Sequence, residues 1–174
     1  ATDPRFQNQK FEKAPSVFAN NDIKYEVNKL RSDAYAEKRH EGLLYCPAKD
    51  TPSTEALRLR PDFTAQLISW LNRHDRESGD LYGILPLLIG MPVAVAENIN
   101  RSDGKRFLKR SVGYVHSWVL SSDEQSVYED NVRVLHKLPK VVFVRFFLQD
   151  GKELPWTLPG LTIKGLYPII PTTG

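Results

Sequence analysis

The sequence predicts an α/β segment followed by a β-rich module. Apolar residues recur at helical spacing near the N-terminus. After Tyr82 they form short alternating runs instead, and Gly, Pro and Asp-Gly turns separate these runs. We therefore divide the chain at this change of period. Residues 1–80 form an α/β segment with a polar N-terminal arm, and residues 81–174 form a β-rich, small-barrel-like module.

A strand and a helix open the first segment. The apolar run 15–19 predicts a buried strand, and the polar residues after it can cap a helix start. An amphipathic helix is predicted over residues 22–38, with apolar residues at helical spacing: Ile23, Val27, Leu30 and Ala34. The remaining predicted elements are a strand at 43–46, a loop at 47–60 and a helix at 61–74.

The second segment has the residue types of a β protein. The run 141–147 gives the clearest strand pattern and is taken as β-branched and aromatic throughout. Turns are predicted at residues 90–92, Asp103-Gly104 and Asp150-Gly151. The predicted strands are 84–88, 92–97, 112–120, 131–136, 140–148 and 165–169.

The composition narrows the class of protein. A net charge of +3 does not by itself identify a nucleic-acid binder. No run of about 18 apolar residues occurs, so no membrane-spanning helix is predicted. The single cysteine, Cys46, is predicted to be a buried strand residue, and it excludes an intrachain disulfide and a four-cysteine zinc site. It favours a reducing compartment, such as the nucleus or the matrix or stroma of an organelle.

Positive charge concentrates between two predicted strands. Five cations lie there, opposed only by Asp103: Arg101, Lys105, Arg106, Lys109 and Arg110. In one interpretation this connection lies along a phosphate backbone, as cations beside a β platform do. In the other it is a solvated hairpin tip.

Aromatic residues follow this cationic connection. Tyr114, His116 and Trp118 alternate along a predicted strand and are expected on one face. Exposed rings can stack on bases, with about 1–3 kcal/mol for each base, whereas buried rings would belong to the core. We include Trp118 with the five cations as candidate nucleic-acid-binding residues.

No catalytic or metal centre is predicted. The four histidines, His40, His74, His116 and His136, have no ligand-like spacing with one another or with Cys46. No serine lies in a G-x-S-x-G setting. The acidic pairs Asp123-Glu124 and Glu129-Asp130 are expected to be solvated surface charge.

Four blocks of sequence carry a resemblance to one family. They are Ala14–Asn21 with Val27–Arg31; His74–Gly83 with Leu85–Leu87 and Gly90–Val93; Arg110–Trp118; and Trp156–Leu161 with Gly165–Ile169. In this order they resemble an internal stretch of the "petite integration frequency" DNA helicases, which are RecD-like, superfamily 1, 5′-to-3′ enzymes, and most closely the divergent forms of protists such as dinoflagellates. The resemblance implies a partial second RecA-like domain, a β-barrel-like insertion and single-stranded DNA as partner.

The chain departs from that family at the ATP site. The family binds ATP and magnesium with a loop of the form G-x-x-x-x-G-K-S/T, and this sequence contains none. No cofactor is therefore expected in this chain. The family also often has a Gly where this chain has Arg110, so a positive φ is not expected there.

Two functions remain open from the sequence. In the first, the chain is a fragment of an ATP-dependent DNA helicase that contributes nucleic-acid binding and is not catalytically competent alone. In the second, it is a helicase-derived accessory or structural subunit of a larger complex, for example in an organelle, with protein partners and no DNA or ATPase role. The absence of an initial Met leads us to expect a processed product or a piece of a longer protein.

Overall fold

The computed structural model describes residues 21–49, 54–55, 83–95, 98, 110–148 and 150–171, which fold into one helix and two β-sheets. The helix and each strand overlap a predicted element. The predicted strand at 15–19 and helix at 61–74 lie outside the described residues. The elements are α1 (Asn21–Arg39), β1 (Leu43–Pro47), β2 (Ile84–Leu87), β3 (Pro92–Ala94), β4 (Val112–Val119), β5 (Val132–Val134), β6 (Val141–Phe146) and β7 (Leu166–Ile169).

Helix α1 spans the predicted residues but buries a different face. Ile23 and Leu30 are 51% and 64% exposed, whereas Ser32 and Ala36 are buried among the helix side chains that the structure describes. Ala36 packs with Leu43 of β1. The prediction of the buried face was wrong because small side chains, rather than the large apolar ones, let the helix approach the sheet.

The first sheet has three strands in the order β2-β1-β5. β1 pairs antiparallel with β2 and parallel with β5. Leu43 and Leu44 are both buried although neighbouring strand residues point to opposite faces. The sheet is therefore covered on both sides at β1, and it draws strands from both sides of the predicted boundary at residue 80.

The second sheet is antiparallel, with the order β3-β4-β6-β7. The pairing of β4 with β6 shifts between Val115 and Ser117, so His116 is an extra residue in β4. A bulge of this kind reverses the alternation of side chains beyond it. Val115 and Trp118 therefore contact the same core although they are three residues apart.

The two sheets share one core cluster. Leu44 and Cys46 of the first sheet pack with Val115 of the second. Burial, and secondarily the charge of Glu124, raises the pKa of the Cys46 thiol to about 12. The prediction that Cys46 is a buried strand residue is confirmed. Among the helices of the described residues, none is long and apolar enough to cross a membrane.

Candidate nucleic-acid interface

The five predicted cations belong to the connection between β3 and β4, which we call the cationic connection. Backbone hydrogen bonds join its two ends at Val95 and Arg110. The Arg110 amide donates to the Val95 carbonyl at 2.8 Å, and the Val95 amide donates to the Ser111 carbonyl at 2.9 Å. These bonds continue the β3–β4 ladder, in which Ala94 lies opposite Val112. Four of the predicted cations lie within this connection and outside the described residues: Arg101, Lys105, Arg106 and Lys109.

Arg110 is the predicted cation that the structure describes. It is exposed, and its φ is 77°, so the expectation of an ordinary φ at this position was wrong. The left-handed conformation directs the Arg110 amide onto Val95 and so closes the hairpin. An L-residue in this conformation costs about 1–2 kcal/mol. The chain thus keeps a strained, charged residue at the base of the hairpin where glycine would fit more easily.

Trp118 lies on the inner side of the sheet. It is half-buried, pairs with Val142 in the ladder and packs against the core cluster that contains Leu44 and Val115. The expectation that Trp118 shares a face with Tyr114 was wrong, because the extra residue His116 reverses the alternation between them. The exposed ring of this strand is Tyr114.

Tyr114 forms a cluster with two residues on the neighbouring β6 side of the sheet, and we call Tyr114, Arg145 and Phe147 the outer-face cluster. Tyr114 lies opposite Arg145 in the ladder. The Tyr114 and Phe147 rings meet edge to face, with centroids 5.9 Å apart. The Arg145 guanidinium carbon lies 5.0 Å from the Phe147 centroid.

Two polar contacts hold Arg145 in this cluster. Its guanidinium forms an ion pair with Glu153 and donates to the Lys164 carbonyl at 3.3 Å. Arg145 and Phe147 were not predicted as site residues, because residues 141–147 have the pattern of one apolar strand. An arginine in the middle of that run was the available signal, since it marks the solvent face of the strand.

The expectation that Glu124 is a solvated surface charge was wrong. Its side chain is 1% exposed rather than solvated. The carboxylate accepts hydrogen bonds from the amides of Ser126 at 2.9 Å, Lys137 at 2.7 Å and His136 at 3.3 Å. Hydrogen bonding from Ser126 above all, and then from the Lys137 and His136 amides, lowers the pKa of Glu124 to about 2. Glu124 thereby links the loop between β4 and β5 to residues 136 and 137, which follow β5.

A cavity of about 440 Å³ lies beside this loop. It is lined by Gln125, Ser126, Val127, Glu129, Asp130, Val132, Val134 and His136. In the part of the chain that the structure describes, no group of three His, Cys, Asp or Glu residues is placed to hold a metal ion.

Comparison of the chain with protein-family models, with curated proteins and with solved structures finds no match in any of the three. The resemblance of the four sequence blocks to DNA helicases therefore stays a prediction.

Proposed function

We propose that this chain contributes single-stranded DNA binding to an ATP-dependent DNA helicase. The observation that carries the proposal is the hairpin base at Val95 and Arg110, where two backbone hydrogen bonds fasten both ends of a connection that contains five cations. Several cations in one connection suit a phosphate backbone, since each can replace a condensed counterion.

The proposal assigns the two parts of the chain to different places in the helicase. The segment that contains α1 and β1 would belong to the second RecA-like domain, and the antiparallel sheet would belong to its inserted β module. The sequence lacks a G-x-x-x-x-G-K-S/T loop, so its residues do not fit ATP and magnesium, and hydrolysis would depend on other parts of the enzyme.

The size of the electrostatic contribution can be calculated from the number of cations. Binding to a single strand weakens with salt at a slope of about −0.7 for each phosphate that is neutralised. Five contacts predict a slope near −3.5, which corresponds to a loss of about 100-fold between roughly 50 and 200 mM salt. A solvated hairpin tip would show neither the affinity nor the slope.

A matched pair of double variants tests the proposal. Fluorescence anisotropy would measure the binding of a labelled single-stranded oligonucleotide to the full chain. Lys105→Gln with Arg106→Gln should weaken binding and reduce the salt slope by about 1.4. Lys29→Gln with Arg31→Gln removes the same charge from α1 and should leave the slope unchanged. Equal effects of the two pairs, or no binding by the wild type at low salt, would contradict the proposal.

A second candidate function is that of an accessory subunit that binds protein. The observation that favours it is the exposure of Ile23 and Leu30 on α1, because large apolar side chains on a helix surface suit a partner. This function predicts that the chain purifies with a stable assembly and has no affinity for DNA. Leu30→Glu should then release the chain from the assembly.

A further inference from the structure

The outer face of the second sheet exposes apolar side chains that the inner core does not use. Tyr114 is 46% exposed, and Val112 and Val119 on the same strand are also exposed. The inner face of the same sheet carries the buried side chains of Val144 and Phe146, which pack against Leu154 and Trp156. Val112 and Tyr114 are two positions apart on the same strand and so lie on the same face, where neighbouring exposed apolar side chains can mark a binding site.

We propose that Tyr114, supported by Phe147 and Arg145, is a stacking site for unpaired DNA bases. The inference rests on the proposed function and names the part of the DNA strand that this face would recognise. Aromatic rings on a sheet bind single strands because every base offers a flat π surface. Paired bases inside a duplex do not offer that surface, so this site distinguishes single strands from duplexes.

The contacts around Tyr114 keep its ring in place without covering it. Phe147 meets it at an interplanar angle of 76°, so the two rings do not lie against each other face to face. Arg145 packs over Phe147, and its ion pair with Glu153 fixes that position. The tyrosine therefore loses little additional freedom when a base stacks on it, which favours affinity.

The distance to Arg110 fits a strand that contacts both residues. Tyr114 is four positions after Arg110, which is about 13 Å along an extended chain. Stacked nucleotides follow one another at about 3.4 Å along each strand, so three or four of them span this distance. One strand can thus place a phosphate beside the exposed Arg110 and a base on Tyr114.

The test compares the affinity of variants of the full chain for a single-stranded oligonucleotide. Tyr114→Ala should weaken binding by roughly 5- to 150-fold, with an unchanged salt slope, because stacking releases no counterions. Tyr114→Phe keeps the ring and should bind like the wild type. Tyr128→Ala is the matched control. Tyr128 is 47% exposed but does not belong to this sheet, so its removal should leave DNA binding like that of the wild type.

Two further measurements show whether weaker binding comes from the loss of base stacking or from a disturbed fold. Tyr114→Leu keeps an apolar side chain without a ring, so it should bind as weakly as Tyr114→Ala while its thermal unfolding matches that of the wild type. With an oligonucleotide that carries abasic positions, the wild type and Tyr114→Ala should bind equally.

The outcomes separate the inference from the function on which it rests. Wild-type binding with a salt slope, combined with full affinity of Tyr114→Ala or Tyr114→Leu, would overturn the stacking site and leave DNA binding intact. If the wild-type chain does not bind single-stranded DNA, both the stacking site and the proposed function are overturned. Capture of a protein through this face, with no DNA affinity, would likewise overturn the stacking site.

Discussion

Replacing Arg110 with glycine should stabilise the fold and weaken DNA binding at the same time. The Arg110 φ of 77° costs an L-residue about 1–2 kcal/mol, and glycine avoids this cost. Part of this gain is offset, because glycine makes the unfolded chain more flexible and thereby lowers the free energy of unfolding by about 0.5–1 kcal/mol. The hydrogen bond from the position 110 amide to the Val95 carbonyl does not need the side chain. The net expectation is that the free energy of unfolding rises by about 0.5–1 kcal/mol.

Arg110→Ala separates backbone strain from charge. Both substitutions remove the same charge, but alanine keeps a Cβ and therefore keeps the strain. Urea unfolding, extrapolated linearly to water, would give the free energy of unfolding for the three proteins. Glycine should be the most stable, and both variants should lose the same DNA affinity, with a salt slope reduced by about 0.7. A glycine variant no more stable than the alanine variant would refute the argument from strain.

Three buried positions give further predictions. A Cβ on Gly113 would lie 2.6 Å from the Val144 Cγ1 atom, so Gly113→Ala should lower the free energy of unfolding by about 1–3 kcal/mol; an unchanged urea midpoint would contradict this. Glu124→Gln should lower the melting temperature at neutral pH, because its amide group cannot accept the backbone hydrogen bonds as a carboxylate does. Folding lowers the Glu124 pKa from 4.5 to about 2, so its stabilising effect is complete above pH 4.5 and disappears as the pH falls through about 2. Calorimetry of both proteins should therefore show melting temperatures that converge in acid, and a constant difference would count against the role of the charge. Cys46 should react slowly with a thiol reagent until urea unfolds the chain, because burial raises its pKa to about 12; rapid reaction in the folded state would show that the thiol is accessible.

Local pattern predicted the described strands well. β1 and β4 were expected at 43–46 and 112–120, and they lie at Leu43–Pro47 and Val112–Val119. Runs of β-branched and aromatic residues between turn residues carry this information within a few positions. The pairing partners were not predicted. β1 joins β2 and β5, which are distant in the sequence, and only the packing of the whole chain determines such pairings.

The candidate site was predicted less well, for reasons that concern individual residues. A single inserted residue, His116, reversed the alternation in β4 and turned Trp118 toward the core. The local sequence pattern does not predict a bulge of this kind. Glu124 appeared solvated beside Asp123 because the backbone amides that bury it come from Lys137 and His136, more than ten positions later.

The salt dependence of single-stranded DNA binding distinguishes a chain that binds DNA through its cations from one that binds only protein. The full chain would be titrated with a labelled single-stranded oligonucleotide and with its duplex, over a series of salt concentrations. We expect tighter binding of the single strand than of the duplex and a log–log slope near −3.5, which is about 0.7 for each of five cations. No binding at about 50 mM salt, or an affinity that does not change with salt, would contradict it.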